Sequence, residues 1–314
     1  MVAIIRKELA DYFTSIRFFI LFLLVLATSA AGLYAAFEGI RAAITQSGAV
    51  TGGGFIFLAL FTSSGEAIPS LISFLALFIP IIGIALGFDA INSERTGGTL
   101  SRLLSQPVYR DSVINGKFLA GIITMTIMLA TTLLLVSGYG LRMIGVPPTA
   151  EEIIRLFIYL VLAIFYGAFW MGLAILSSVI FRRIAASLLI SIAVWLVFVF
   201  FMQMIAPVIA NAIVPVTEAS TMEVQVQNVE LYQMLLRISP STLFQEANTV
   251  LLLPVWKGLG IITTSQAAYM MPNPLSLGQS LLAIWPHIVS LVSLSVICFA
   301  ISYVLFMRQE IRAG

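Results

Sequence analysis

Long apolar runs that are almost free of charge alternate with more polar stretches along this chain, and their spacing lays out its elements. Residues 18–37, 67–88, 118–141, 153–180, 185–209 and 284–307 are each predominantly apolar. Each run is near the roughly 20 residues with which a helix, rising about 1.5 Å per residue, crosses the hydrocarbon core of a bilayer. The pattern predicts an all-α integral membrane protein of six transmembrane helices, with residues 1–314 forming a single transmembrane domain.

Between the runs the periodicity changes. In residues 1–17, Ile4, Ile5, Leu9, Tyr12, Phe13 and Ile16 recur at three- and four-residue steps among Arg6, Lys7, Glu8, Asp11 and Arg17, which predicts an amphipathic helix in the membrane interface. Ala27-Thr28-Ser29-Ala30 is a weak signal-peptide cleavage site, but acidic residues suit a signal n-region poorly, so the helix is expected to stay uncleaved. Residues 38–66 read as a loop with a short interfacial helix, in which Ser63 and Glu66 fit a capping box that would open the second span. Within that span Pro80 predicts a kink, and Gly83 with Gly87 forms a small-xxx-small pair that admits a close neighbour. Thr149 and Glu152 supply a second capping box, opening the fourth span.

Residues 211–283 mix charges with prolines and read as a loop outside the cytoplasm that carries two helices, about 228–238 and 241–252. A seventh span over 247–271 would bury Lys257 at a cost of about 3 kcal/mol. It would also carry the basic tail, Arg308 to Arg312, to the other side, so six spans are expected.

The stretch 89–117 separates spans two and three and concentrates seven charges: Asp89, Glu94, Arg95, Arg102, Arg110, Asp111 and Lys117. Gly97-Gly98 breaks the preceding helix, Thr99 can cap a new one, and Pro107 limits it to about two turns. Leu100, Leu103 and Leu104 fall at i, i+3 and i+4 and share a face. So short a helix is marginal alone and needs a surface to pack on. Spacing leaves open whether that surface is the membrane or a protein, or whether the stretch is a plain topology-setting loop.

In order and spacing, Glu94-Arg95, Gly98-Thr99-Leu100, Leu103-Leu104, Pro107-Val108, Arg110 and Gly116-Lys117 resemble the cytoplasmic loop of type-2 ATP-binding-cassette (ABC) exporter permeases, E-R-x-x-G-T-L-x-x-L-L-x-x-P-V-x-R followed by G-K. The resemblance implies a coupling helix that docks on a separate nucleotide-binding subunit. Leu100, Leu103, Leu104 and Pro107 would make the apolar contact, with Thr99 capping the helix and Glu94, Arg95, Arg102 and Arg110 aligning it. The wording Arg6-Lys7-Glu8-Leu9-x-Asp11-Tyr12-Phe13 is similar to the family's N-terminal connecting helix, which implies contacts from Arg6, Lys7, Glu8 and Asp11. It further implies that ATP and Mg are held by the partner and no cofactor by this chain, that two permeases pair, as a homodimer or with a similar chain, and that spans two and five face a cavity at the dimer axis.

Composition fits this layout. Of 314 residues 60% are hydrophobic and 10% charged, with mean hydropathy +1.07, more apolar surface than a soluble domain buries. Net charge is +2, and its distribution matters more than its size. With both termini cytoplasmic, eleven Lys and Arg fall inside and five outside, a positive-inside bias that predicts a multi-pass protein of the cell membrane, surrounded by lipid and without nucleic-acid partners.

Several chemistries are excluded or weakened. No Gly-x-x-x-x-Gly-Lys-Ser/Thr occurs, so the chain has no P-loop and is expected not to be an enzyme on its own. One His and one Cys do not furnish a zinc cluster. Glu151-Glu152-Ile153-Ile154-Arg155 is one residue short of the spacing in glutamate-type intramembrane proteases and lacks their histidines. The spans hold almost no ionisable residues and offer uncharged groups such as Thr124, Thr126, Thr131, Thr132, Ser177, Ser178, Ser191 and Gln203, where ion-coupled carriers keep ionisable ones; each reads first as hydrogen-bonding within and between helices. An ATP-driven exporter subunit is therefore expected ahead of a membrane scaffold or an ion-coupled carrier. The substrate is not legible.

Overall fold

A computed structural model describes residues 1–47, 55–65, 68–98, 109–217, 220–253 and 275–309. These residues are helical throughout their regular structure, with no strand among them, and hold six helices or helix pairs long and apolar enough to cross a membrane. The segment Thr99 to Val108 and residues 254–274 lie outside the described set. Both Glu66 of the expected capping box and the tail after Gln309 do too.

The chain opens with α1 (Val2–Thr14) and turns at Ser15 into α2 (Ile16–Ser47). Ser15 works at both ends of the turn: its hydroxyl donates to the Tyr12 carbonyl and accepts from the Phe18 amide. Next, α3 (Ile56–Thr62) buries Phe57 through Phe61. Its first amides, orphaned by helix geometry, are satisfied from across the chain, since Glu152 Oε1 accepts from Phe57 N at 2.9 Å and Leu58 N at 3.2 Å.

One expectation is corrected here. Ser63 does not cap the second span; it closes α3, and α4 (Leu71–Gly87) starts under Ser70, whose Oγ accepts from the Ser73 amide. Ser63 and Ser70 are both extended, and Pro69 cannot donate a backbone hydrogen bond that would carry a helix through to α4. A short α5 (Asn92–Thr96) follows, then α6 (Arg110–Ile144), α7 (Ala150–Ile180) and α8 (Ile184–Leu196). The expected capping box is present at the head of α7, with Thr149 and Glu152 bonded reciprocally. A five-residue π-helical segment, Val197–Phe201, joins α8 to α9 (Met202–Ile213). The long polar segment carries α10 (Met222–Leu236) and α11 (Pro240–Leu252), and α12 (Leu277–Arg308) ends the bundle.

The helix α7 is the core of the bundle: α4 and α12 pack along it, and α6, α8 and α11 flank it. Between α4 and α7 the approach is backbone to backbone. A Cβ on Gly83 would stand 2.6 Å from the Gly167 carbonyl oxygen, and one on Gly87 would stand 2.6 Å from that of Met171. The glycine pair expected to admit a neighbour thus admits α7. Tyr159, Tyr166 and Trp170 of α7 are fully buried, and Phe244 of α11 stacks on Tyr166 with centroids 4.3 Å apart.

Polar ties fix α11 and α12 against this core. Arg155, entirely buried, donates to Glu151, to the carbonyls of Leu251 at 2.6 Å and Leu275 at 2.8 Å, and to Ser280 Oγ. With each donor aimed at a fixed acceptor, it is a structural clamp. Glu246 of α11 accepts from Arg237 at 2.9 Å and lies 2.7 Å from His287 Nε2 of α12.

Burial alone would raise the Glu246 pKa, but His287 and Arg237 outweigh it and hold the carboxyl below its usual 4.5. A depressed native value stabilises the fold above the unfolded value, and that contribution fades as pH falls through the native one. Thermal unfolding of the protein in detergent should therefore lose stability as pH drops below about 4.5, and Glu246→Gln should flatten that part of the profile.

Candidate functional site

The densest charge cluster lies at the end of the bundle where α1, α5, the start of α6 and the end of α12 meet. Helix α1 lies along α6. It approaches because residue 116 is glycine: a Cβ there would stand 2.8 Å from Ile4 Cγ2. The next residue, Lys117, is 4% exposed and points its Nζ at Glu8 Oε1, 2.8 Å away, and at Glu94 Oε1, 3.4 Å away. Glu8 and Glu94 are themselves 7% and 8% exposed. From outside, Lys7 closes the cluster with contacts of 3.1 Å to Glu94, 3.2 Å to Glu8 and 3.3 Å to Asp11. Partial burial pulls the Lys7 pKa down, but the carboxylates of Glu8 and Glu94 outweigh it and the net shift is upward.

Around this node α1 and the start of α2 are pinned to the end of α4 and the residues just after it. Tyr12 donates to the Leu86 carbonyl at 2.9 Å, and Arg17 pairs with Asp89. Burial and then the nearby carboxylates of Glu8, Asp89 and Asp11 push the Tyr12 phenol up, so it stays a hydrogen-bond donor. The backbone of α5 is held from α7: Ser178 Oγ accepts from the Ile91 and Asn92 amides, each at 3.0 Å. Ser187 of α8 donates to the Phe88 carbonyl at 2.7 Å.

A second junction sits at Gln309. Arg95, at the end of α5, donates to its side-chain carbonyl, and Arg110, at the start of α6, donates to its backbone carbonyl at 3.2 Å. The Gln309 amide donates in turn to the Val179 carbonyl at 2.7 Å. Arg95 and Arg110 bracket the segment with the Thr99-to-Pro107 motif, so both stems of that segment are fastened to one residue. Gly98, with φ of +64°, takes the left-handed conformation in which the chain leaves α5.

Of the predicted site residues, Lys7, Glu8, Asp11 and Glu94 converge on the Lys117 node, Arg95 and Arg110 converge on Gln309, and Arg6 is exposed. Thr99, Leu100, Arg102, Leu103, Leu104 and Pro107 lie outside the described residues. Sequence reasoning missed the partners that organise these groups, namely Gln309, Ser178 and the role of Lys117 as a buried counter-ion. The Gly116-Lys117 pair was the available signal: the glycine makes room for α1 and the lysine binds it.

The hydroxyls within the spans bond both within and between helices, as expected. Thr124, Thr126, Thr132 and Ser191 each donate to the carbonyl four residues earlier. No group of three or more metal-ligating side chains occurs among the described residues.

Comparison with known proteins bears on this arrangement. A family model described as "ABC-2 family transporter protein" matches residues 2–311. Over 131 residues the chain is 34% identical to a "Probable ABC transporter permease protein NosY" of Pseudomonas aeruginosa, covering 41% of this chain and 42% of that one. It is 43% identical over 58 residues to the protein of the same name in Stutzerimonas stutzeri, covering 18% of this chain and 21% of that one. The chain thus matches well under half the length of these curated relatives.

Proposed function

The chain belongs to the ABC-2 family of transporter proteins, and from that premise we propose that it is the permease half of an ATP-driven exporter, coupled to a separate nucleotide-binding subunit. The observation that carries this reading is the double fastening of the segment between Gly98 and Tyr109. Its stems run into α5 and α6, and both are tied through Arg95 and Arg110 to Gln309. A force applied to the segment would reach α4 and α6 directly and α12 through Gln309.

In this reading Leu100, Leu103, Leu104 and Pro107 meet an apolar groove on the partner, and Arg102 steers it. ATP and Mg act on the partner. ATP-driven closure of two partner subunits then shifts the spans between inward- and outward-facing states. Two copies of this chain make the simplest assembly. Both termini lie on the cytoplasmic side, and the membrane is the cell membrane, consistent with the arginine and lysine distribution.

The test is purification of the tagged full chain in mild detergent from cells expressing its neighbouring genes, with mass spectrometry and ATPase assays on the eluate. Recovery of a stoichiometric P-loop ATPase with vanadate-sensitive turnover is expected. Leu103→Asp should insert in the membrane normally and lose that subunit. Recovery of the chain alone, or full ATPase association in the Leu103→Asp variant, would reject the coupling assignment.

A further inference from the structure

On the side of the bundle facing away from the terminal cluster, a cavity of about 750 Å³ lies between α2 and α6. Leu26, Leu33 and Phe37 form one wall, and Leu135, Val136 and Tyr139 the other. Of the four hydroxyl-bearing residues that line it, Ser29 and Thr132 donate back to the carbonyls of Val25 and Met128, which leaves Tyr34 and Tyr139 as the polar groups of otherwise apolar walls. At one end stand Glu38 and Arg41, three residues apart on α2. That spacing lets opposite charges pair. Neither side chain makes an ion pair or hydrogen bond among the described residues, and both border the groove.

The dimensions match one leaflet of a bilayer. Glu38 lies 21 residues beyond Arg17, about 32 Å along a helix. Arg17 pairs with Asp89 at the terminal end, so Glu38 falls at the opposite face of a hydrocarbon layer about 30 Å thick. From Leu26 to Arg41 the groove covers 15 residues, about 22 Å, which is half of a bilayer about 40–45 Å thick with its headgroups. Only two helices wall it, so it opens sideways to the lipid.

We propose that this groove is a binding site for one phospholipid with an ethanolamine headgroup, lying in the leaflet opposite the terminal cluster. The ammonium donates to the Glu38 carboxylate and a phosphate oxygen accepts from the Arg41 guanidinium, both as charge-assisted bonds. The acyl chains fill the apolar walls down to Leu26. A choline headgroup has no N–H for Glu38, and a glycerol headgroup leaves the lipid net negative beside a carboxylate, so the charge pair selects among bilayer lipids.

The experiment reconstitutes the full chain in vesicles with phosphatidylethanolamine that carries an acyl-chain diazirine, then maps the cross-linked peptides. Labels should concentrate in residues 26–41 and 132–143. Unlabelled phosphatidylethanolamine should displace them about tenfold more effectively than phosphatidylglycerol. Glu38→Gln with Arg41→Gln should erase that preference while labelling of the groove persists. Ala30→Trp, which fills the groove from an exposed position, should remove the labelling without altering the protein's elution as a single species. Labels spread evenly over the lipid-facing helices, or equal displacement by both lipids in the wild type, would overturn the proposal. So would an intermolecular disulfide formed by Tyr139→Cys, because it would place a second copy of the chain over the groove.

Discussion

Replacing Lys117 with methionine should destabilise the protein by about 3–5 kcal/mol, the usual cost of breaking a buried ion pair from one side. Methionine has the reach of lysine without its charge, so packing is nearly preserved and the loss is electrostatic. Glu8 and Glu94 would then keep two negative charges in a nearly dry site. Lys7, whose side chain is 50% exposed, covers them only from the solvent side. Thermal unfolding in detergent should show the loss. The double variant Lys117→Met with Glu8→Gln should recover part of it, since one of the stranded charges is gone. A single variant within about 0.5 kcal/mol of wild type would mean that water reaches the node and that α1 is held by its apolar face alone. The same substitution should weaken association with the ATPase subunit, because α1 and the stem of the Thr99-to-Pro107 segment share this lysine.

Gly83→Leu should be still more damaging and prevent accumulation of folded protein in the membrane. Even the first side-chain carbon would sit 2.6 Å from the Gly167 carbonyl oxygen and 3.0 Å from the Met171 nitrogen. These are backbone atoms of the central helix, so no side chain can swing aside and the whole of α4 must move away from α7. Separating two helices that bury each other's faces forfeits dispersion contacts that hold a bundle together where solvent supplies no driving force. Gly138→Ala on α6 is the control, since a Cβ there meets nothing within 4 Å. It should be neutral or stabilising by up to about 1 kcal/mol. Membrane-fraction yield and size-exclusion profiles of the two variants separate these outcomes; a monodisperse Gly83→Leu protein would show that α4 and α7 pack more loosely than their geometry implies.

The spans were legible because each is a long apolar run, interrupted by charge only at Arg155, and bounded by charge, proline or a capping residue. The Thr149–Glu152 box is local chemistry that repeats wherever a helix starts, so four residues suffice to read it. Gly83 and Gly87 were legible as a spacing, though only the structure names Gly167 and Met171 as what they admit. What sequence did not reveal is long-range pairing. Glu94 and Lys117 read as surface charges of a loop, because nothing local indicates that α1 folds over them and Glu8 joins them. Gln309 looks like one residue of a polar tail until Arg95 and Arg110, some two hundred positions away, are brought to it. The Ser63 cap failed for the opposite reason: its local pattern was sound, but Ser70 offers the same chemistry closer to the helix.

The glycine contact between α4 and α7 also decides which parts of the molecule are stiff. The span that contains α4 is 61% buried within the chain, whereas the span formed by α8 and α9 is 17% buried and is interrupted by five residues of wider π-helical winding. Two helices interlocked through their main chains move as one beam. A loosely seated helix with a softened turn in its middle bends first. Within one chain, strain arriving from the terminal end would bend α8 and α9 before it parted α4 from α7.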